Sequence, residues 1–180
     1  MPRRSQGWLA ATVLLAGLGW GRDAAAQYRN YTFGFEGGYA LLTEGTALKL
    51  NNFALGLFGG WKSSDHWWFS GRAMLSFPGQ LDNAPNTVVL LHIVPISVQY
   101  YFKTDDLRPY VGLTNSFQIT FNSTDSVPAA MWGPGVTAGT EIKLRRDLFL
   151  GLKADGFWML RFGHGPPFLV TATAQLIFFL

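Results

Sequence analysis

Two strands and the short turn between them constrain this chain more than any other stretch. Over residues 107–121, apolar and small polar side chains alternate with a period of two, which predicts a β-strand. The segment before it ends in the same alternation, and the polar residues 103–106 form the turn between the two. The two faces of the second strand are Val111, Leu113, Phe117 and Ile119 on one side, and Gly112, Thr114, Ser116, Gln118 and Thr120 on the other. Small neutral groups fit a narrow closed interior, so the apolar face is predicted to point outward into lipid.

The rest of the chain repeats this alternation, and eight strands are predicted in all. They cover residues 31–42, 50–61, 67–77, 87–102, 107–121, 133–144, 148–161 and 168–180. The turns at Ser63, Asp105 and Arg146 are short, whereas most other connections are longer, including a first outer loop that contains Glu44. Outer-membrane barrels have this asymmetry. The predicted fold class is therefore all-β: an eight-stranded antiparallel up-and-down transmembrane β-barrel with both termini on the periplasmic side.

The N-terminal residues have the pattern of a secretory signal peptide. Arg3 and Arg4 precede an apolar run over residues 8–18, and the alanines at 24–26 supply a cleavage site. The apolar run is shorter than the roughly 20 residues that a transmembrane helix needs. We therefore predict a cleaved signal peptide over residues 1–26 and one barrel domain over residues 27–180.

Composition excludes several other classes of protein. The chain has no cysteine, so neither a disulfide framework nor a lipidation cysteine is predicted. Removal of the three arginines and one aspartate in residues 1–26 brings the formal net charge from +3 close to zero, which gives no reason to expect a nucleic-acid partner. With 48% hydrophobic and 16% aromatic residues, the chain also lacks the composition of a disordered protein.

Five charged residues fall on the predicted interior face of the strands. They are Glu36, Arg72, Glu141, Lys153 and Asp155. The interior of an eight-stranded barrel is about wide enough to be filled by side chains, and an unpaired charge there is costly. The sequence therefore predicts an interior polar network of paired charges, with Phe58 and Met74 beside it. The alternative is an ion pathway through the same residues.

Aromatic residues concentrate near the predicted strand ends, where membrane barrels carry aromatic girdles. The predicted aromatic girdle comprises Trp61, Trp67, Tyr100, Tyr110, Trp158 and Phe178.

Three histidines raise the question of catalysis. His92 lies in an apolar run, and strict alternation directs it toward lipid unless a bulge near Pro95 resets the register. His66 falls in a short turn and His164 in an outer loop. None has a serine two residues on, the local pattern expected of barrel enzymes that deacylate lipid A. We therefore predict no catalytic residue, no cofactor and no metal site.

Residues 94–102, VPISVQYYF, and residues 107–113, LRPYVGL, resemble the small eight-stranded outer-membrane barrels of the OmpA/OmpX type, with OmpW-like barrels as neighbours. The resemblance covers residues 27–180, but the chain ends in Leu180 where that family usually ends in Phe. It implies a monomer in the outer membrane of a Gram-negative cell envelope, in contact with membrane lipid and lipopolysaccharide. It also implies recognition of the C-terminal strand by the barrel-assembly machinery.

Two functions of different classes stay open at this point. The first is a structural or loop-mediated binding or adhesion module with a polar interior filled by side chains. The alternative is a narrow, porin-like conduit for small molecules, apolar ones included. A lipid A-modifying enzyme is a remote third.

Overall fold

A computed structural model describes residues 30–44, 47–77, 89–103, 105–121, 130–160 and 167–180. The eight strands are β1 (Tyr31–Glu44), β2 (Ala47–Lys62), β3 (Trp67–Phe77), β4 (Val89–Tyr101), β5 (Leu107–Phe121), β6 (Ala130–Arg145), β7 (Leu148–Trp158) and β8 (Phe168–Phe179). Each strand pairs antiparallel with the next, and β8 pairs with β1 to close the barrel. The predicted all-β, eight-stranded antiparallel barrel is confirmed. The predicted signal peptide lies outside the described residues, and these contain no helix that is long and apolar enough to cross a membrane.

The first hairpin differs from the prediction. Its strands reach Glu44 and Ala47, which leaves only residues 45–46 between them, so Glu44 belongs to β1 and not to an outer loop. The pairing continues past a register shift between Leu42 and Thr43, where Thr43 pairs with Leu48 and Glu44 with Ala47. Backbone pairing, rather than the apolar pattern of the side chains, determines where these strands end.

The two ends of the barrel differ in their connections. At one end, which we name the turn end, β1 begins and β8 ends, and the connections cover residues 63–66, 102–106 and 146–147. At the opposite end, which we name the loop end, the connections cover residues 45–46, 78–88, 122–129 and 159–167. Three of these four are longer than any connection at the turn end, which is the asymmetry of outer-membrane barrels.

The outer face of the barrel is apolar and exposed. Leu113 is 70% exposed, while its neighbour Thr114 points inward and is 8% exposed, as the alternation predicts. The same contrast recurs on other strands, where the exposed apolar side chains include Phe35, Leu57, Val136 and Leu152. A closed sheet with such a surface requires lipid around it, because water would contact apolar side chains on every strand.

Strand β4 is irregular on both of its edges. The register with β3 shifts between Ser70 and Arg72, and the register with β5 shifts between Ile93 and Ser97. Both shifts lie beside Pro95, which has no backbone N–H to donate to a neighbouring strand. As a result, His92 points into the barrel and is 4% exposed. Of the two orientations that the sequence left open, the structure has the one that follows from a bulge.

The interior consists of three layers. An aromatic layer at the turn end contains Trp68, Tyr101 and Tyr110, with Phe179 packed against them. A middle layer contains the buried charges, among them Arg72 and Asp155. A third layer toward the loop end is an apolar cluster formed by Ala40, Leu42, Leu90, Val94, Met131, Phe157, Met159 and Leu169. Buried polar side chains also lie beside the apolar cluster, among them Ser116 and Gln118 of β5, so polar and apolar side chains share the interior.

Candidate functional site

Arg72 of β3 is the centre of the charged layer. Its Nη2 lies 2.9 Å from Asp155 Oδ2 of β7, and its Nη1 lies 3.5 Å from Glu36 Oε2 of β1. The three side chains are between 0% and 2% exposed. The neighbours of β3 in the sheet are β2 and β4, so these ion pairs connect strands across the lumen rather than along the wall.

Neutral side chains of β8 support both carboxylates. Thr171 Oγ1 donates a hydrogen bond of 2.8 Å to Asp155 Oδ2. Gln175 Nε2 donates a hydrogen bond of 3.0 Å to Glu36 Oε2. Lys153 Nζ lies 3.9 Å from Asp155 Oδ1 on the same strand. Hydrogen bonds to charged groups are among the stronger ones in proteins, so this layer fastens four strands together inside the barrel.

Glu141 of β6 has a different set of partners. Its Oε1 accepts a hydrogen bond of 2.5 Å from the hydroxyl of Tyr101, which lies 3.4 Å from Gln99 Oε1. Gln99 Nε2 in turn donates to Ser70 Oγ at 3.2 Å. The structure thus divides the five predicted charges into the Arg72 group and a separate group around Glu141. A cavity of about 20 Å³, lined by residues of both groups, lies between them and has room for about one water.

Tyr110 belongs to the interior, and its assignment to the aromatic girdle is wrong. It is 2% exposed, and its ring lies 4.9 Å from that of Tyr101. Tyr110 has the same parity along β5 as Thr114, which faces inward, and it pairs with Gly139 of β6. A Cβ atom at Gly139 would lie 2.5 Å from the Tyr110 ring, so the glycine makes room for the tyrosine.

The other five residues of the predicted girdle lie on the outer face. Trp67 packs against Tyr100 with ring centres 5.1 Å apart, and Phe178 stacks on Phe33 at 5.0 Å, both toward the turn end. Trp61, also near the turn end, and Trp158, toward the loop end, are about half exposed. Aromatic side chains therefore occupy both ends of the apolar surface, as they do in membrane barrels.

At the turn end, the positively charged side chain of Arg108 lies over two aromatic rings. The guanidinium carbon of Arg108 lies 4.1 Å from the centre of the Phe149 ring and 5.2 Å from that of Phe179. The Arg108 side chain also donates to the Asp105 backbone oxygen at 3.0 Å. The predicted network omitted Arg108, Tyr101, Thr171 and Gln175. The alternation of inward and outward residues would have identified all four, because each lies on the inward face of β4, β5 or β8 between outward neighbours.

The barrel has counterparts among solved structures. The chain is similar to Neisserial surface protein A, with a TM-score of 0.70 and 15% identity over 83% of this chain and 97% of that one. It is also similar to the outer membrane protein OprG of Pseudomonas aeruginosa, with a TM-score of 0.54 and 13% identity over 84% and 97% of the two chains. The N-terminal barrel domain of OprF from the same organism gives 0.52 and 18% identity over 84% and 100%.

These three structures are small eight-stranded outer-membrane β-barrels. The chain has their fold. No protein-family model matches it, and neither does any curated protein sequence at a significant level. At these identities the likeness concerns the architecture, and it agrees with the family that the sequence resembles.

Proposed function

We propose that this chain is an outer-membrane protein whose lumen is closed by its own side chains, and that it acts as a structural or loop-mediated binding module. The observation that carries this proposal is the charged layer. Arg72 contacts Glu36 and Asp155 from opposite walls, and all three side chains are buried. A permeation path requires a continuous column of water, and side chains that meet across an eight-stranded lumen leave little room for one.

The location is supported by the outer surface. Exposed apolar side chains cover the wall, and aromatic side chains lie near both of its ends. In this location the turn end faces the periplasm, and residues 1–26 act as the signal peptide. Membrane lipid and lipopolysaccharide are the immediate partners of the outer face. The barrel-assembly machinery recognises β8, and the protein acts as a monomer.

The histidine geometry favours a non-enzymatic role. His66 Nδ1 lies 2.7 Å from the backbone oxygen of Tyr101, and the His66 ring stacks on Tyr100, so this histidine fastens a turn to the barrel. His92 is enclosed in the lumen beside Phe157, away from the outer face where a lipid substrate would lie. The third histidine, His164, lies outside the described residues.

Conductance in a planar bilayer tests the proposal. We expect the protein to show no stable single-channel steps, because the charged layer leaves no continuous water column. A variant with Glu36, Arg72 and Asp155 all changed to Ala, if it inserts, is the positive control, because it removes the side chains that close the lumen. Reproducible steps in the unmodified protein that change with Arg72→Met or Lys153→Met would instead favour the conduit.

A further inference from the structure

One wall of the loop-end half of the lumen is polar, and its side chains have no hydrogen-bond partners in the described part of the chain. The inward residues of β5 in this region are Thr114, Ser116, Gln118 and Thr120, none more than 8% exposed. Their side-chain oxygen and nitrogen atoms have no hydrogen-bond partner among the described residues. His92, which pairs with Gln118 on the adjacent strand, is 4% exposed and also has both ring nitrogens unpaired. We name these five residues the polar strip.

An unpaired strip of this size is costly for a protein to keep. A buried polar group without a partner costs roughly 1–3 kcal/mol, and native structures pair about 90% or more of such groups. Other lumen atoms also lack a partner, among them Thr137 Oγ1 and Thr173 Oγ1, but these two lie on separate strands. The strip differs because it is a run of consecutive inward residues on β5 together with the residue that pairs with Gln118 on β4. This continuous run of unpaired groups along one wall indicates a hydrogen-bonding partner from outside the described residues.

The opposite wall of this region is apolar. Across the lumen from β4 and β5, strands β1 and β8 contribute the buried apolar residues Ala40, Leu42 and Leu169. A cavity of about 10 Å³ lies between the two walls, lined by His92 and Gln118 of the strip, by Ser76, and by apolar residues that include Ala40 and Leu169. The rings of His92 and Phe157 are nearly perpendicular, with centroids 5.2 Å apart. The site thus offers hydrogen-bonding groups on one side and apolar contacts on the other.

We propose that the polar strip binds a small neutral amphiphile, such as a short-chain alcohol or amide. Hydroxyl, amide and imidazole groups offer both donors and acceptors without a full charge, so they match a ligand that is itself neutral. The ionic groups below are already paired with one another in the charged layer.

The space for the apolar part of the ligand comes from side chains that can move. As packed, the cavity has the volume of about one water. Met74, Met131 and Met159 lie in this half of the lumen, and methionine is the flexible apolar side chain that most readily adapts its shape. Rotation of these side chains opens room for a chain of a few carbon atoms beside the strip. The proposal goes beyond the closed barrel argued above, because it gives the closed lumen a ligand.

Binding of 1-hexanol and n-hexane by the protein in lipid nanodiscs tests this site. The imidazole NMR signals of isotope-labelled histidine report on His92, and the signals of His66 at the turn end serve as the reference for unspecific partitioning into lipid. We expect 1-hexanol to shift the His92 signals to saturation and to bind about 10-fold more tightly than n-hexane, because only the alcohol pairs with the strip. Gln118→Leu and Ser116→Ala should each weaken hexanol binding several-fold, whereas Thr32→Val at the turn end leaves it unchanged.

Four results would overturn the proposal. The first is a shift that rises linearly with 1-hexanol and matches that of the reference histidine. The second is equal binding of 1-hexanol and n-hexane. The third is full hexanol affinity in Ser116→Ala and in Gln118→Leu, with each variant shown to be folded by its circular dichroism. If Gln118→Leu does not fold, Ser116→Ala alone decides this comparison, because it removes one hydroxyl and little volume. The fourth is magnetisation transfer from water to His92 without a saturable shift on addition of 1-hexanol. This result would show that water alone occupies the strip.

Discussion

Removal of the Asp155 carboxylate perturbs the charged layer more directly than any other single change. Asp155 Oδ2 lies 2.9 Å from Arg72 Nη2 and accepts a hydrogen bond of 2.8 Å from Thr171. Asp155 Oδ1 is the oxygen that lies 3.9 Å from Lys153 Nζ. Asp155→Ala removes all three contacts and leaves Arg72 with the longer contact to Glu36. A buried guanidinium then loses the closer of its two carboxylate neighbours.

The size of the effect follows from the burial of the pair. Breaking a buried ion pair by removing one partner costs about 3–5 kcal/mol. The ion pair of Lys143 and Asp106 at the turn end provides the matched control, because its side chains are 41% and 85% exposed at a distance of 3.4 Å. An exposed pair contributes less than about 1 kcal/mol. The two aspartate variants are therefore expected to differ by at least about 2 kcal/mol.

Urea unfolding of the protein in lipid vesicles, followed by tryptophan fluorescence, measures this difference. The double variant Arg72→Met with Asp155→Ala should recover part of the loss, because it removes the guanidinium that the single change leaves poorly paired. Equal unfolding free energies for Asp155→Ala and Asp106→Ala would refute the energetic importance of the charged layer. A double variant less stable than Asp155→Ala would show that Arg72 stabilises the barrel without Asp155.

Three further predictions concern the outer face, the turn-end layer and one glycine. Leu113→Arg places a charge on the lipid face and should cost roughly 2–4 kcal/mol, read as a smaller folded fraction in vesicles than for Leu113→Val; equal folded fractions would contradict the outward assignment. Tyr101→Phe removes the donor to the buried glutamate of β6 and should lower the unfolding free energy by about 1.5–3 kcal/mol; an unchanged urea midpoint would show that this hydrogen bond is dispensable. Gly139→Ala brings a methyl group against Tyr110 and should cost about 1–3 kcal/mol, whereas Gly59→Ala, whose Cβ would meet one backbone oxygen at 3.7 Å, should be tolerated; similar melting temperatures for the two would refute the close approach.

The sequence predicts the parts of this fold that depend on local periodicity. The bounds of β3 and β5 agree with the prediction, because each strand alternates over most of its length and is flanked by turn residues. The contrast between Leu113 and Thr114 follows from the same alternation, since a period of two assigns every residue of a regular strand to one face. The five interior charges were found in this way as well.

The remaining features depend on non-local geometry, and periodicity does not encode them. The choice of Glu36 and Asp155 as partners of Arg72 depends on how strand stagger and barrel closure place β1 and β7 opposite β3. The inward position of His92 depends on register shifts beside Pro95, because even-numbered residues face inward before Pro95 and odd-numbered residues face inward after it. Tyr110 is different, because its parity along β5 already indicated the interior and only the expectation of a girdle assigned it elsewhere.

The apolar layer at the loop end shows a second limit of the same reasoning. Buried apolar residues such as Leu90 and Met131 point inward, while Leu91 and Trp132 beside them lie on the outer face. Where both faces of a strand are apolar, the alternation contains no information about which face is inside. Only the pairing of these strands with their neighbours determines it.

The central claim is that lipid surrounds the apolar wall and that aromatic residues lie near its two ends. Tryptophan quenching by brominated phospholipids tests this directly once the tryptophans of residues 1–26 are replaced by Phe. The outward tryptophans are Trp61 and Trp67 near the turn end and Trp132 and Trp158 toward the loop end. We expect quenching to be strongest when bromine lies close to the headgroups and weaker when it lies near the bilayer centre, with little change in Trp68→Phe because Trp68 is buried in the lumen. Quenching that is absent at every depth, or strongest at the bilayer centre, would contradict this account.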